Sequence, residues 1–188
     1  MKNGLKIIIA VVAVIVVIIG IFAGGYNSLV DAQTAVETKQ ADIQTQLQRR
    51  ADLIPNFVST VKGYTKYEQE TLTAVTKARS KIAKASDAES LSQASDELDK
   101  AISVWVNAVT EAYPDLKANS NYIALQDELA GTENRIAVAR KDYNEAVQTY
   151  NSMIRRFPKN ILAGMFGFDK AEFFTADENS QTVPNVEF

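Results

Sequence analysis

The 188 residues leave room for one anchor and one ordinary domain, and the lack of any cysteine or histidine removes disulfides, thiolate metal sites, cysteine nucleophiles, imidazole bases and a Glu-x-x-His di-metal centre. Only 8 Gly and 4 Pro, in a chain rich in Ala, Leu, Gln, Glu and Lys, favour long helices. The formal net charge of −3 divides unevenly: Lys2 and Lys6 precede every acidic residue, so residues 26–188 carry 18 basic against 23 acidic side chains. That net of −5 comes with no basic cluster suited to nucleic acid, and no strong attraction to anionic lipid headgroups is expected.

Ile7 to Ala23 contains no polar side chain, and with Leu5 and Gly24-Gly25 the run reaches the roughly 20 residues that a helix needs to cross a bilayer. Lys6 can snorkel to one interface, while Phe22 and Tyr26 suit the other. A cleaved signal peptide has a shorter apolar core and a clear A-x-A site; Ile21-Phe22-Ala23 is a poor one, so a retained anchor is expected. Gly24-Gly25 is a candidate flexible joint. Lys2 and Lys6 stand before the run and the first charge beyond it is Asp31, which predicts a cytoplasmic N-terminus with the remaining domain outside the membrane.

From Asn27 to Tyr64, Val36, Ile43, Leu47, Ala51, Ile54, Phe57 or Val58, and Val61 mark one helical face. Pro55 lies inside it and predicts a kink, and Gly63 an end. A second helix is expected over Lys66–Ala85, with Leu72, Val75, Ala78 or Arg79, and Ile82 facing inward; Ser86-Asp87-Ala88-Glu89 then supplies a turn with capping chemistry. A third spans Glu89–Ala112 on Leu91, Ala94, Leu98, Ile102 (with Ala101), Trp105 and Val109, and Pro114 ends it. In the fourth, Leu125, Leu129, Thr132, Ile136, Ala139, Tyr143, Ala146, Tyr150 and Met153 alternate spacings of four and three, a heptad-like, coiled-coil seam closed by Phe157-Pro158. The rest holds Gly164, Gly167, Pro184 and five of the eight Phe; a short helix near Ile161–Met165, irregular chain and an extended end at Val183–Phe188 are expected.

The fold class is therefore all-α: a single N-terminal transmembrane helix (residues 1–25), an antiparallel up-and-down bundle of four long helices (26–158) and a Phe-rich irregular C-terminal segment (159–188). In up-and-down order the first helix leaves the membrane and the fourth returns. The two longest helices should then be neighbours, with the Phe-rich segment near the bilayer surface.

Several segments carry a resemblance. They are Gln46 to Asn56 (QLQRRADLIPN), Val61-Lys62-Gly63-Tyr64, Glu111 to Asn119 (EAYPDLKAN), Leu125 to Leu129, Thr132 to Ala137, and the pairs Tyr143-Asn144, Tyr150-Asn151 and Phe157-Pro158. With Tyr26-Asn27 and Val183-Pro184 they run nearly the whole chain, and the sequence resembles the LemA family of bacterial membrane proteins. The resemblance implies an N-terminal transmembrane helix and a soluble bundle of long helices in a mirror-handed up-and-down arrangement. It implies no enzymatic activity, cofactor or catalytic residue to carry over, and roles in the cell envelope.

Arg49, Arg50 and Asp52, with Glu128, Glu133 and Arg135 on the fourth helix, could bind a carboxylate or phosphate ligand; an interhelical network of ion pairs and caps is the favoured alternative. Tyr143 and Tyr150 fall on the seam, so they read as core residues whose hydroxyls reach polar partners; Asn144 and Asn151 could bond across helices. Glu68 with Glu70, and Asp96 with Glu97, sit in solvated runs, and neither a phosphate-binding loop nor a nucleophile elbow is present. Phe166, Phe168, Phe173 and Phe174 could plug the bundle end, or contact the membrane or another copy. The expected function is a non-enzymatic, membrane-anchored scaffold of the bacterial envelope, needing no cofactor or metal. Its partners would be the bilayer through residues 5–25, copies of itself and other envelope proteins, but no nucleic acid. The alternative is a ligand-sensing or adaptor module with a polar pocket near Arg49 and Arg50.

Overall fold

One helix, α1, runs without interruption over Lys2–Thr60 in the computed structural model, which describes residues 2–60 and 68–174. It is followed by α2 (Glu68–Lys84), α3 (Ala88–Ala112), a 3-10 turn (Pro114–Ala118), α4 (Ser120–Arg155) and α5 (Lys159–Phe166). The described residues contain no strand. The expected end at Gly63, the start at Lys66 and the extended Val183–Phe188 lie outside them. The side chains of Phe57, Val58 and Leu72 are likewise not described.

Helix α1 corrects one expectation, the joint at Gly24-Gly25. Gly24-Gly25 is helical, so no joint separates the apolar run from the segment after it. Pro55 lies inside the helix and does not end it, although its ring removes one backbone hydrogen bond. Gly25 has a separate reason to be glycine. A Cβ there would lie 2.7 Å from Leu162 Cδ1, whereas one at Gly24 would meet nothing within 4 Å.

The chain divides into two compact units, one combining α1 up to Thr38 with Glu145–Ala171, the other Lys39–Asn144 with the chain from Glu172. In the first, Leu29, Leu162 and Ala163 form a buried cluster, with Met153, Ile154 and Phe168 packed against it. The first and fourth helices are therefore neighbours here, with α5 folded onto them. Gly167 ends α5 in the left-handed region (φ 73°), where its missing Cβ removes the strain, and the Gly167 and Phe168 N–H groups donate to Ala163 O.

The second unit holds the antiparallel four-helix bundle. Lys39 pairs with Asp142 and Arg49 with Glu128, so position rises on α1 as it falls on α4. The same reversal joins α1 to α2, through Gln44 to Ile82 O and Asp52 to Arg79, and α3 to α4, through Ser95 to Arg140 and Thr110 to Tyr122. Lys81 and Glu97 join α2 to α3. Ile43, Leu47, Ala51 and Ile54 of α1, Val75, Ala78 and Ile82 of α2, and Leu91, Ala94, Leu98, Ile102, Trp105 and Val109 of α3 are all buried, the faces the spacing predicts.

Local chemistry sets the helix ends. Asp87 accepts the Ser90 N–H at 2.7 Å, and Ser90 Oγ accepts the Asp87 N–H in return, which closes a capping box at the start of α3. Asn119 does similar work for α4, its Oδ1 accepting the Asn121 and Tyr122 N–H groups at 3.0 and 3.3 Å. The α4 seam holds with two amendments. Tyr122 joins it, buried with its hydroxyl 2.6 Å from Thr110 Oγ1, and Val147 takes the place expected for Ala146, which is half-buried. A straight helix drifts about 20° per heptad from a 3.5-residue seam, so over several turns the buried stripe moves one position along.

Candidate functional site

The six charged residues expected to share a site form three separate arrangements within the bundle. Arg49 and Arg135 both reach Glu128 Oε1, at 3.2 and 2.7 Å, on a partly exposed edge. Asp52 pairs instead with Arg79 of α2 at 2.9 Å, again near solvent. Only Arg50 points inward: it is 8% exposed, and its Nη1 lies 3.0 Å from Asp99 Oδ1 and also pairs with Glu133.

Asp99, Arg79 and Arg140 complete these contacts; sequence reasoning assigned none of them to the charged network and offered Arg79 only as the alternative to Ala78 on the inner face of α2, where Ala78 is the buried one. Asp99 stands four residues after Ser95, which is fully buried, but nothing in the sequence marked Ser95 as a core position. Burial pulls the Arg50 guanidinium below its ordinary range, opposed by Asp99 and reinforced by Arg140. Burial likewise pushes the Asp99 carboxyl above its ordinary range, opposed by Arg50 and Arg140. A half-desolvated pair of this kind fixes which helices meet and at what register. With two carboxylates on Arg50, and Arg140 Nη2 donating to Ser95 Oγ at 2.6 Å, the arrangement is that of an interhelical clamp.

A second polar arrangement lies on the last turns of α4. In the first unit, Tyr150 donates its hydroxyl to Asp169 O at 2.9 Å. Asn151 next to it both donates to Ala171 O (2.8 Å) and accepts the Ala171 N–H (2.9 Å). In the second unit, one heptad earlier in α4, the pattern repeats: Tyr143 donates to Glu172 O (2.9 Å), and Asn144 bonds both Phe174 O (3.0 Å) and the Phe174 N–H (2.8 Å). An Asn amide that offers donor and acceptor to one residue supplies what a neighbouring β-strand would supply. These side chains therefore hold extended backbone of their own C-terminal segment, where bonds to another helix were expected. Burial raises both tyrosines above their ordinary range, followed by the charge of Glu172 at Tyr143 and of Asp169 at Tyr150, which keeps the hydroxyls protonated as donors.

The four phenylalanines separate too. Phe174 is buried, with the Arg140 guanidinium 4.8 Å above its ring, while Phe173 is exposed. Phe166 and Phe168 meet Tyr26 edge-on, at centroid distances of 4.9 and 5.7 Å; Phe168 is partly covered and Phe166 stays exposed. Among the described residues no group of three acidic side chains is placed to hold a metal ion.

An apolar N-terminal helix long enough to cross a membrane, an antiparallel bundle locked by interhelical ion pairs and a C-terminal segment clamped by side-chain amides define a class of all-helical proteins. The profile of the LemA family matches residues 39–188, and the chain belongs to that family. Protein LemA of Metamycoplasma hominis is 28% identical over 159 aligned positions, covering 84% of this chain and 72% of that protein. Magnetosome protein MamQ 2 of Paramagnetospirillum magneticum is 26% identical over 174 positions, and magnetosome protein MamQ of Magnetospirillum gryphiswaldense 22% over 174. Each of these two matches covers 79% of this chain and 64% of the relative, so the chain spans less than two thirds of their length.

Proposed function

We propose that the chain is a membrane-anchored helical scaffold of the bacterial envelope that works through protein or membrane contacts, self-association among them, and not by catalysis. One observation carries this reading. From Leu5 to Phe22 every large apolar side chain of α1 is exposed around the whole circumference of the helix, Ile9 at 60% and Ile19 at 61% for example, and hydrocarbon is the medium that covers such a surface. Lys2 and Lys6 favour a cytoplasmic N-terminus.

The absence of cysteine makes the test clean. In intact spheroplasts a membrane-impermeant maleimide should label Val104→Cys and spare Lys2→Cys. The opposite pattern would invert the orientation, and release of the protein by alkaline carbonate would remove the anchor. Light scattering of the full chain in lipid nanodiscs or mild detergent tests self-association, which a strict monomer at every concentration rules out.

A further inference from the structure

Around α5 the first unit keeps an apolar surface that its own core does not use. Phe157 is 81% exposed, Met165 67%, Phe166 57% and Ile161 44%. Ile161 and Met165 stand four residues apart, so α5 is apolar on its outer edge as well as on the edge that buries Leu162 and Ala163, and Phe157 is exposed in the turn before it. The surface is continuous with the apolar run of α1. A groove of about 520 Å³ is walled by Ile18, Ile19, Phe22 and Tyr26 on one side and by Leu162, Met165 and Phe166 on the other. The charge of the segment around α5 reverses that of the chain: from Arg155 to Lys170 stand Arg155, Arg156, Lys159 and Lys170 against the single acid Asp169.

We propose that α5 and the turn before it are a second membrane contact, with Phe157, Ile161, Met165 and Phe166 in the acyl region of an anionic phospholipid leaflet and the four cations at its phosphates. An apolar helix edge rimmed by Lys and Arg is the composition of an interfacial helix, and each cation near such a surface contributes about fivefold in binding. Continuity with the α1 span selects lipid as the occupant, because Ile18 and Phe22, which wall the groove, belong to that span. The net −5 of residues 26–188 argues against headgroup binding only as a sum; Arg156 and Lys159 line a hollow together with Phe157, and residues 155–170 hold four cations against one acid.

This inference rests on the reading that residues 5–25 cross the bilayer, and its test separates the two. Single-cysteine spin labels at Ile15, Met165 and Val104 of the full chain are compared in nanodiscs of phosphatidylcholine with and without phosphatidylglycerol, using oxygen and a water-soluble nickel chelate as relaxants. The Met165 label should favour oxygen as the Ile15 label does, more so with phosphatidylglycerol. The inserted population should fall about fivefold for each cation replaced in the series R155Q, R156Q, K159Q, K170Q. A Met165 label that reads water like Val104, while Ile15 reads lipid, overturns the second contact and leaves the anchor standing. An Ile15 label in water overturns both. Shielding of Met165 only in discs loaded with two copies makes a second chain the occupant and overturns the lipid contact.

Discussion

Gly24 and Gly25 are adjacent, both helical and both at the end of the apolar run, yet they answer to different demands. Gly24→Ala should stabilise by about 1 kcal/mol, because alanine is the better helix former and its methyl meets open space. Gly25→Ala makes the same gain but sets a methyl 2.7 Å from Leu162 Cδ1, so the Leu162 side chain must shift. Overpacking of this kind costs about 1–3 kcal/mol, so Gly25→Ala should melt below Gly24→Ala in detergent, with Leu162→Ala narrowing the gap. Asp87 makes a pH-dependent contribution. Hydrogen bonds from the Ser90 N–H, foremost, hold its carboxyl below the ordinary 3.8. The capping benefit is complete above that value and is lost as pH falls through the lower folded value. Asp87→Ala should therefore cost about 1 kcal/mol at neutral pH, and urea titrations of the two proteins should converge in strong acid.

The helices themselves were legible because their apolar spacing is regular: Ile43, Leu47, Ala51 and Ile54 on α1 and the α3 face are buried as the period requires. The seam of α4 slipped from Ala146 to Val147, since spacing alone does not say how fast the stripe drifts around a straight helix. The partners of polar side chains were less legible still. Tyr143-Asn144 and Tyr150-Asn151 announced themselves by their heptad spacing, but nothing local says that Asn151 bonds a residue twenty positions away. Asn151→Ala removes two neutral hydrogen bonds, at about 1 kcal/mol each. Hydrogen exchange should then speed up at the Ala171 amide while Leu98 and Ile102 in the bundle keep their protection. Equal acceleration everywhere would mean that the clamp supports the whole fold.

For the molecule as a whole, the apolar run contributes no buried side chain before Leu29. Deleting residues 2–23 should therefore leave a helical protein with a cooperative melt by circular dichroism, and make it extractable from membranes by alkaline carbonate. Loss of helicity in the remainder would show that the run supports the fold as well as the attachment. Gly25 and Tyr26 stay in the shortened chain because both touch the α5 region.

The sequence by itself determined the all-helical class, the membrane-length run, the inward faces and the absence of imidazole and thiol chemistry, since each follows from composition or from a spacing readable within a few turns. The tertiary structure alone decided that Arg50 pairs with Asp99 and Glu133, that Asp52 turns to Arg79 and that the amides of α4 hold the C-terminal backbone. The physical reason is range: helix periodicity is local, whereas an ion pair or a backbone clamp depends on which distant residues packing brings within about 3 Å.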